Sequence, residues 1–149
     1  MPEKKIAIIL DDVLNELTNR LGQRLVSVVI FGSFARVDTH RYSDIDLLVI
    51  AKDLPKDWRE RTAFELSFER LGLKWGVPLQ VIMVEPRELE IGIDNITPLL
   101  LEIREGYRCL LDREEFFGAE MRRLAEIIVS RGVRRLADHK WEVPELVRQ

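Results

Sequence analysis

Apolar residues recur along this chain in two different periods, and the switches between them predict its elements. Over residues 5–21, Ile6, Ile9, Leu10, Val13, Leu14, Leu17 and Leu21 fall on one helical face, and Gly22 follows as a stop signal. Leu25 to Phe31 is a β-branched run of strand length that ends at Gly32-Ser33. Residues 37–43 show no period and read as a loop. Ile45 to Ile50 is a second apolar strand, entered through Ser43 and Asp44 and broken at Lys52-Asp53-Leu54-Pro55. A helical stripe over about 57–71 places Trp58, Phe64, Phe68 and Leu71 in register, with Gly72 and Gly76 at its exit. Leu79 to Val84 reads as a third strand, closed by Pro86. Thr97-Pro98 opens a short helix with Thr97 as cap, ending at Gly106. Residues 107–111 read as an edge strand and 114–131 as a last helix, with Phe117, Met121, Leu124, Ile127 and Ile128 as its stripe.

Strands alternating with helices predict a small α/β (α+β) domain, with a parallel crossover between the second and third strands. The 149 residues suit a single domain large enough to fold without disulfides or structural metal. Residues 1–112 are expected to carry the chemistry, and 113–149 to add a helix and tail to the same domain. The tail after Val133, with Pro144 and mixed charges, reads as a short extension or a partner-binding arm.

Composition narrows the classes. Hydrophobic residues at 46% and charged residues at 33% exclude disorder, collagen and coiled coil as descriptions of the whole chain. No apolar run approaches the ~18 residues of a membrane span. The start, Met-Pro-Glu-Lys-Lys, has no signal-peptide pattern. Cys109 is the single cysteine, so neither an intramolecular disulfide nor a cysteine zinc site can form. These features together predict a cytoplasmic protein without membrane contact. Against 23 basic residues stand 26 acidic ones, a net charge of −3, which disfavours a globally basic nucleic-acid binder.

The chemistry concentrates in Gly32-Ser33-Phe34-Ala35-Arg36 and Ser43-Asp44-Ile45-Asp46. Asp44 and Asp46 stand two apart at the mouth of an apolar strand, so period two puts both carboxylates on one face, roughly 7 Å apart. Repulsion and desolvation make that pair costly in a strand of Ile, Leu and Val, and a divalent cation removes the repulsion. Mg²⁺ binds through one or two carboxylates plus substrate phosphates, which suits the pair. The plainer reading, a loop-end pair that caps backbone, does not account for the accompanying turn. Gly32 lets the backbone approach a phosphate closely, and the Ser33 hydroxyl and free N–H groups after the strand can donate to it. Taken alone, Gly32-Ser33 reads more readily as an ordinary strand-to-helix turn capped by serine. Arg36 can reach a phosphate or pair with Asp38 or Asp44.

Ile30-Phe31-Gly32-Ser33, ten residues, then Asp44-Ile45-Asp46-Leu47-Leu48-Val49 resembles the signature of the nucleotidyltransferase superfamily with the DNA polymerase β fold. The short chain is most similar to the minimal nucleotidyltransferases (MNT proteins), over roughly residues 5–112 and including Leu100 to Leu111. The resemblance implies a small mixed sheet flanked by helices. It implies Mg²⁺-dependent transfer of a nucleoside monophosphate, from ATP or another nucleoside triphosphate, to a hydroxyl. It also implies a small helical HEPN partner, for which the MNT protein serves as antitoxin and adenylylates a tyrosine. Asp44 and Asp46 then hold the metal, and Gly32, Ser33 and Arg36 the nucleotide. Such enzymes usually take a third carboxylate from the next strand, where this chain has Gln80. A glutamine oxygen can ligate Mg²⁺ but cannot act as a base. Glu85, the nearest acid, falls on the opposite face by alternation.

Two rivals follow from this departure and from the C-terminal charges. One is a catalytically weak nucleotide- or partner-binding module of the same fold. The other is an RNA-associated protein that uses Arg122, Arg123, Arg131, Arg134, Arg135 and Lys140. His40 and His139 lack metal spacing. Tyr42 reads as a surface residue, and Trp58 and Trp75 are expected to close the core.

Overall fold

The computed structural model describes residues 2–32, 44–137 and 140–144. In chain order these form α1 (Pro2–Leu21), β1 (Leu25–Phe31), β2 (Ile45–Ala51), α2 (Trp58–Leu73), β3 (Leu79–Val84), α3 (Pro86–Asp94), α4 (Pro98–Arg104), β4 (Tyr107–Asp112), α5 (Phe116–Arg131), β5 (Arg134–Ala137) and β6 (Lys140–Glu142).

The main sheet is mixed, with strand order β3-β2-β1-β4. β1 runs antiparallel to β2 and β4, and β2 runs parallel to β3, as the intervening α2 requires. Helices cover both faces, which is why β1 and β2 are apolar at nearly every position. On one face, Ile45, Leu47 and Val49 pack with Ile9, Val13 and Leu17 of α1 and Phe68 of α2. On the other, Val29, Phe31, Leu48 and Ile50 pack with Leu89 and Ile93 of α3, Leu100 and Ile103 of α4, and Phe117 and Leu124 of α5. The second face is the one that carries Asp46.

Two sequence expectations change. Pro86 does more than close a strand, because it opens α3 from the first turn, where its missing N–H costs nothing. Glu85 caps that helix: its backbone N–H donates to Glu88, and its carboxylate accepts from Lys56 and from the Leu54 N–H. These contacts hold the Glu85 carboxyl below its ordinary range, the Lys56 hydrogen bond first. Trp58 does not close the core. It lies 70% exposed at the first turn of α2, while Trp75 packs half-buried and donates its ring N–H to Asp12.

Two other features hold the scaffold. Ser27, fully buried in β1, donates to Asp112, whose carboxylate also accepts from the N–H groups of Phe117 and Gly118 at the start of α5. The exposed edge of β3 is covered from α2, where Glu69 and Glu65 accept from the Val81 and Met83 N–H groups. The tail after Val133 forms the small hairpin β5-β6. No described helix is long and apolar enough to cross a membrane.

Candidate active site

Strand register brings the candidate residues together. Phe31 pairs with Asp46, and Asp46 pairs with Gln80, so the three stand side by side in one row across β1, β2 and β3. Gln80 is thus the neighbour of Asp46 on the adjoining strand. It is exposed, and Asp46 is half-buried. Asp44 precedes β2 and is exposed, one pleat period nearer solvent.

Gly32 follows β1 with φ +78°, in the left-handed region. An added Cβ there would stand 2.6 Å from Oδ2 of Asp46. The missing side chain leaves the space that the Asp46 carboxylate occupies, which ties the turn to the acid. Ser33, Arg36, Tyr42, His40 and His139 lie outside the described residues.

The Asp46 carboxyl is pushed up to about 6. Burial is the main cause, followed by the negative charge of Asp44 and then that of Glu102. Glu102 is the residue that the sequence reading missed. It lies half-buried in α4, and its charge reaches Asp46 across the sheet face. The available signal was a lone acid inside the apolar run Leu99 to Ile103. Glu85, committed to Lys56, Leu54 and the cap of α3, takes no part.

The donors at the strand mouth are all oxygens: two carboxylates, with an amide oxygen alongside. Among the described residues no group of three or more His, Cys, Asp or Glu side chains is placed to hold a metal ion. The set fits a hard cation that takes one or two protein carboxylates and completes its shell from substrate and water, as Mg²⁺ does. Negative charge concentrated beside Gly32 can receive a metal-bound phosphate, and neither β2 nor β3 carries a positive group to do so without metal.

Comparison with known proteins bears on the family and the fold. Residues 10–108 match the family model of the nucleotidyltransferase domain. A protein of Methanocaldococcus jannaschii, provisionally named a protein adenylyltransferase, is 38% identical over 130 residues, covering 86% of both chains. A second protein of that organism with the same provisional name is 24% identical over 99 residues, covering 66% of this chain and 99% of its own. Among solved structures, a toxin–antitoxin chain with AMP-PNP superposes with TM-score 0.53 at 18% identity, over 80% of this chain and 86% of that one. A spectinomycin adenyltransferase of Enterococcus faecialis superposes with TM-score 0.55 at 12% identity, over 87% of this chain and 66% of that one. At these identities the structural likeness concerns the fold.

Proposed function

Because the chain belongs to the nucleotidyltransferase domain family, we propose that this nucleotidyltransferase moves AMP from ATP to a hydroxyl of a partner macromolecule. We propose further that the acceptor is a tyrosine on a small helical HEPN-type partner, with this chain as the antitoxin. The observation that carries the reading is the approach of the Asp46 carboxylate to Gly32, with Asp44 two residues before it and Gln80 beside it. It is supported by the provisional protein-adenylyltransferase name of the relatives and by the toxin–antitoxin and adenyltransferase folds that superpose.

Asp44 and Asp46 would hold Mg²⁺, which when bound supplies charge neutralisation at the phosphates and orients them for in-line attack. Gly32, without a side chain, lets the Asp46 carboxylate lie against the end of β1, where it would meet the metal. The acceptor oxygen forms a bond to the α-phosphorus, the bond from that phosphorus to the bridging oxygen breaks, and pyrophosphate leaves with the electron pair. The acceptor proton passes to solvent, since Gln80 cannot take it. A phenol, with a pKa near 10, tolerates that lack better than an aliphatic alcohol does.

Gln80 also favours a second reading, a nucleotide- or partner-binding module without turnover. The RNA-associated reading is weaker. Arg123 pairs with Asp94 and Glu120, Arg134 with Glu142 and Arg135 with Glu105, while Arg131 donates to the Asp94 carbonyl. Those cations are engaged within the chain. Incubation with α-labelled ATP, Mg²⁺ and a purified HEPN-type protein tests the proposal. Label on the partner's tyrosine supports it. Binding of Mg²⁺-ATP without any labelled product leaves the binding module.

A further inference from the structure

The row Gln80–Asp46–Phe31 continues one strand further, to Tyr107 at the start of β4. Two strand spacings separate Asp46 from Tyr107, about 10 Å. At that far end lies an open cleft of about 410 Å³ between the end of α4, β4 and the outer side of α5. Arg104, Tyr107, Gly118, Met121, Arg122 and Ala125 line it. Its volume is in the range of small-ligand sites.

Among the described residues these two arginines are less engaged than Arg123, Arg131, Arg134 and Arg135. Arg104 is exposed and has no ion-pair or hydrogen-bond partner among the described residues. Among the described residues Arg122 has one ion-pair partner, Glu115, at 4.0 Å, with both side chains mostly exposed. An exposed pair of that length contributes little and gives way readily to a better anion. Tyr107 is half-buried against Phe117, edge to face, and keeps its hydroxyl proton as a donor.

The charges along the row differ from end to end. Asp44 and Glu102 act on Asp46 at one end. At the other, the guanidiniums of Arg104 and Arg122 line the cleft, with Asp112, already accepting from Ser27 and from the Phe117 and Gly118 N–H groups, beside Gly118. Helix α4 serves both ends, since it carries Glu102 and, two residues later, Arg104. A nucleoside triphosphate carries more negative charge than one divalent ion neutralises. Its α-phosphate would meet metal at the carboxylates, and the remaining phosphates need cations within reach. Guanidinium groups bind phosphate oxygens in a fork, with charge-assisted hydrogen bonds.

We propose that Arg104 and Arg122, with the Tyr107 hydroxyl, receive the terminal phosphates of the nucleoside triphosphate and hold pyrophosphate as it leaves. This rests on the donor reading above, and its test separates the two. Inorganic pyrophosphate, AMP and Mg²⁺-ATP are titrated calorimetrically into the wild type, Arg104→Ala/Arg122→Ala and Arg104→Lys/Arg122→Lys. Thermal melts check that each variant folds. The alanine pair should lose about tenfold or more in affinity for pyrophosphate and Mg²⁺-ATP while binding AMP within about twofold of wild type, and the lysine pair should recover part of the loss. Wild-type affinity for pyrophosphate and ATP in the alanine pair overturns the inference, and leaves the donor reading intact. If that variant binds both normally but loses transfer to the partner protein, the cleft docks the acceptor and the inference also falls. Pyrophosphate binding that depends on the arginines, without any ATP binding, upholds the cleft and sinks the donor reading. No binding of either ligand by the wild type overturns both.

Discussion

Oδ2 of Asp46 stands 2.6 Å from the point that a Cβ on Gly32 would occupy. The end of one strand has therefore been left without a side chain so that the carboxylate of its neighbour can lie against the turn. The φ of +78° at Gly32 adds a second reason for glycine, independent of the first.

Gly32→Ala should cost about 2 kcal/mol or more of stability, from the left-handed backbone and from displacement of Asp46. It should weaken Mg²⁺-ATP binding beyond what the stability loss explains. Chemical denaturation and calorimetric titration of the same preparation measure the two effects. An alanine variant with unchanged nucleotide affinity would show that the close approach has no part in binding.

Asp46 gives the apo protein an unusual pH dependence. Its folded-state carboxyl holds a proton up to about 6, above the 3.8 of an ordinary aspartate, chiefly because of burial. The folded state thus binds more protons than the unfolded chain across that interval. Its stability falls as pH rises from about 4 to about 6, by about 1–2 kcal/mol once solvent screening of a half-buried group is allowed for. Asp46→Asn should remove this fall and stabilise the metal-free protein at pH 7, while sharply weakening Mg²⁺-ATP binding. Melts across pH in the presence of a chelator would detect it, and a steeper fall in the variant would contradict the assignment.

Gln80 pairs directly with Asp46, so Gln80→Asp places a third carboxylate in the row. A general base contributes on the order of 10²- to 10⁴-fold, and the variant should transfer AMP at least about tenfold faster with Mg²⁺ present. Without metal it should be less stable by about 0.2–1 kcal/mol, because like charges then stand opposite each other. An unchanged rate would turn attention to Glu102, the remaining acid whose charge reaches Asp46.

Asp112→Ala tests the scaffold away from the chemistry. It removes the acceptor for buried Ser27 and for two N–H groups at the start of α5. The expected loss is about 2–3 kcal/mol, read by denaturant unfolding. Asp112→Asn should lose less, since one side-chain oxygen remains.

Much of this protein was determined by local patterning. The continuous apolar runs of β1 and β2 require a sheet covered on both faces, and the stripes of α1, α2 and α5 supply the covering helices. Spacing alone placed Asp44 and Asp46 on one face, because side chains alternate with a period of two whatever the strand packs against. The family signature lies in residues close in sequence, from Ile30 to Val49, so it needs no tertiary contact to be legible. Other features were invisible for the opposite reason. Pro86 looks the same whether it stops a strand or opens a helix, and only Glu85 and Glu88 closing around that turn decide between the two. Trp58 satisfies the stripe of α2, yet it sits at the helix's first turn, exposed to solvent with the Arg59 guanidinium over its ring. Glu102 and Arg104 are separated from Asp46 by more than fifty residues. That α4 brings an acid toward Asp46 and an arginine to the cleft beside Tyr107 was decided by the packing of Leu100 and Ile103 on the sheet face that carries Asp46, because burial of an apolar stripe, and not sequence distance, fixes where a helix sits.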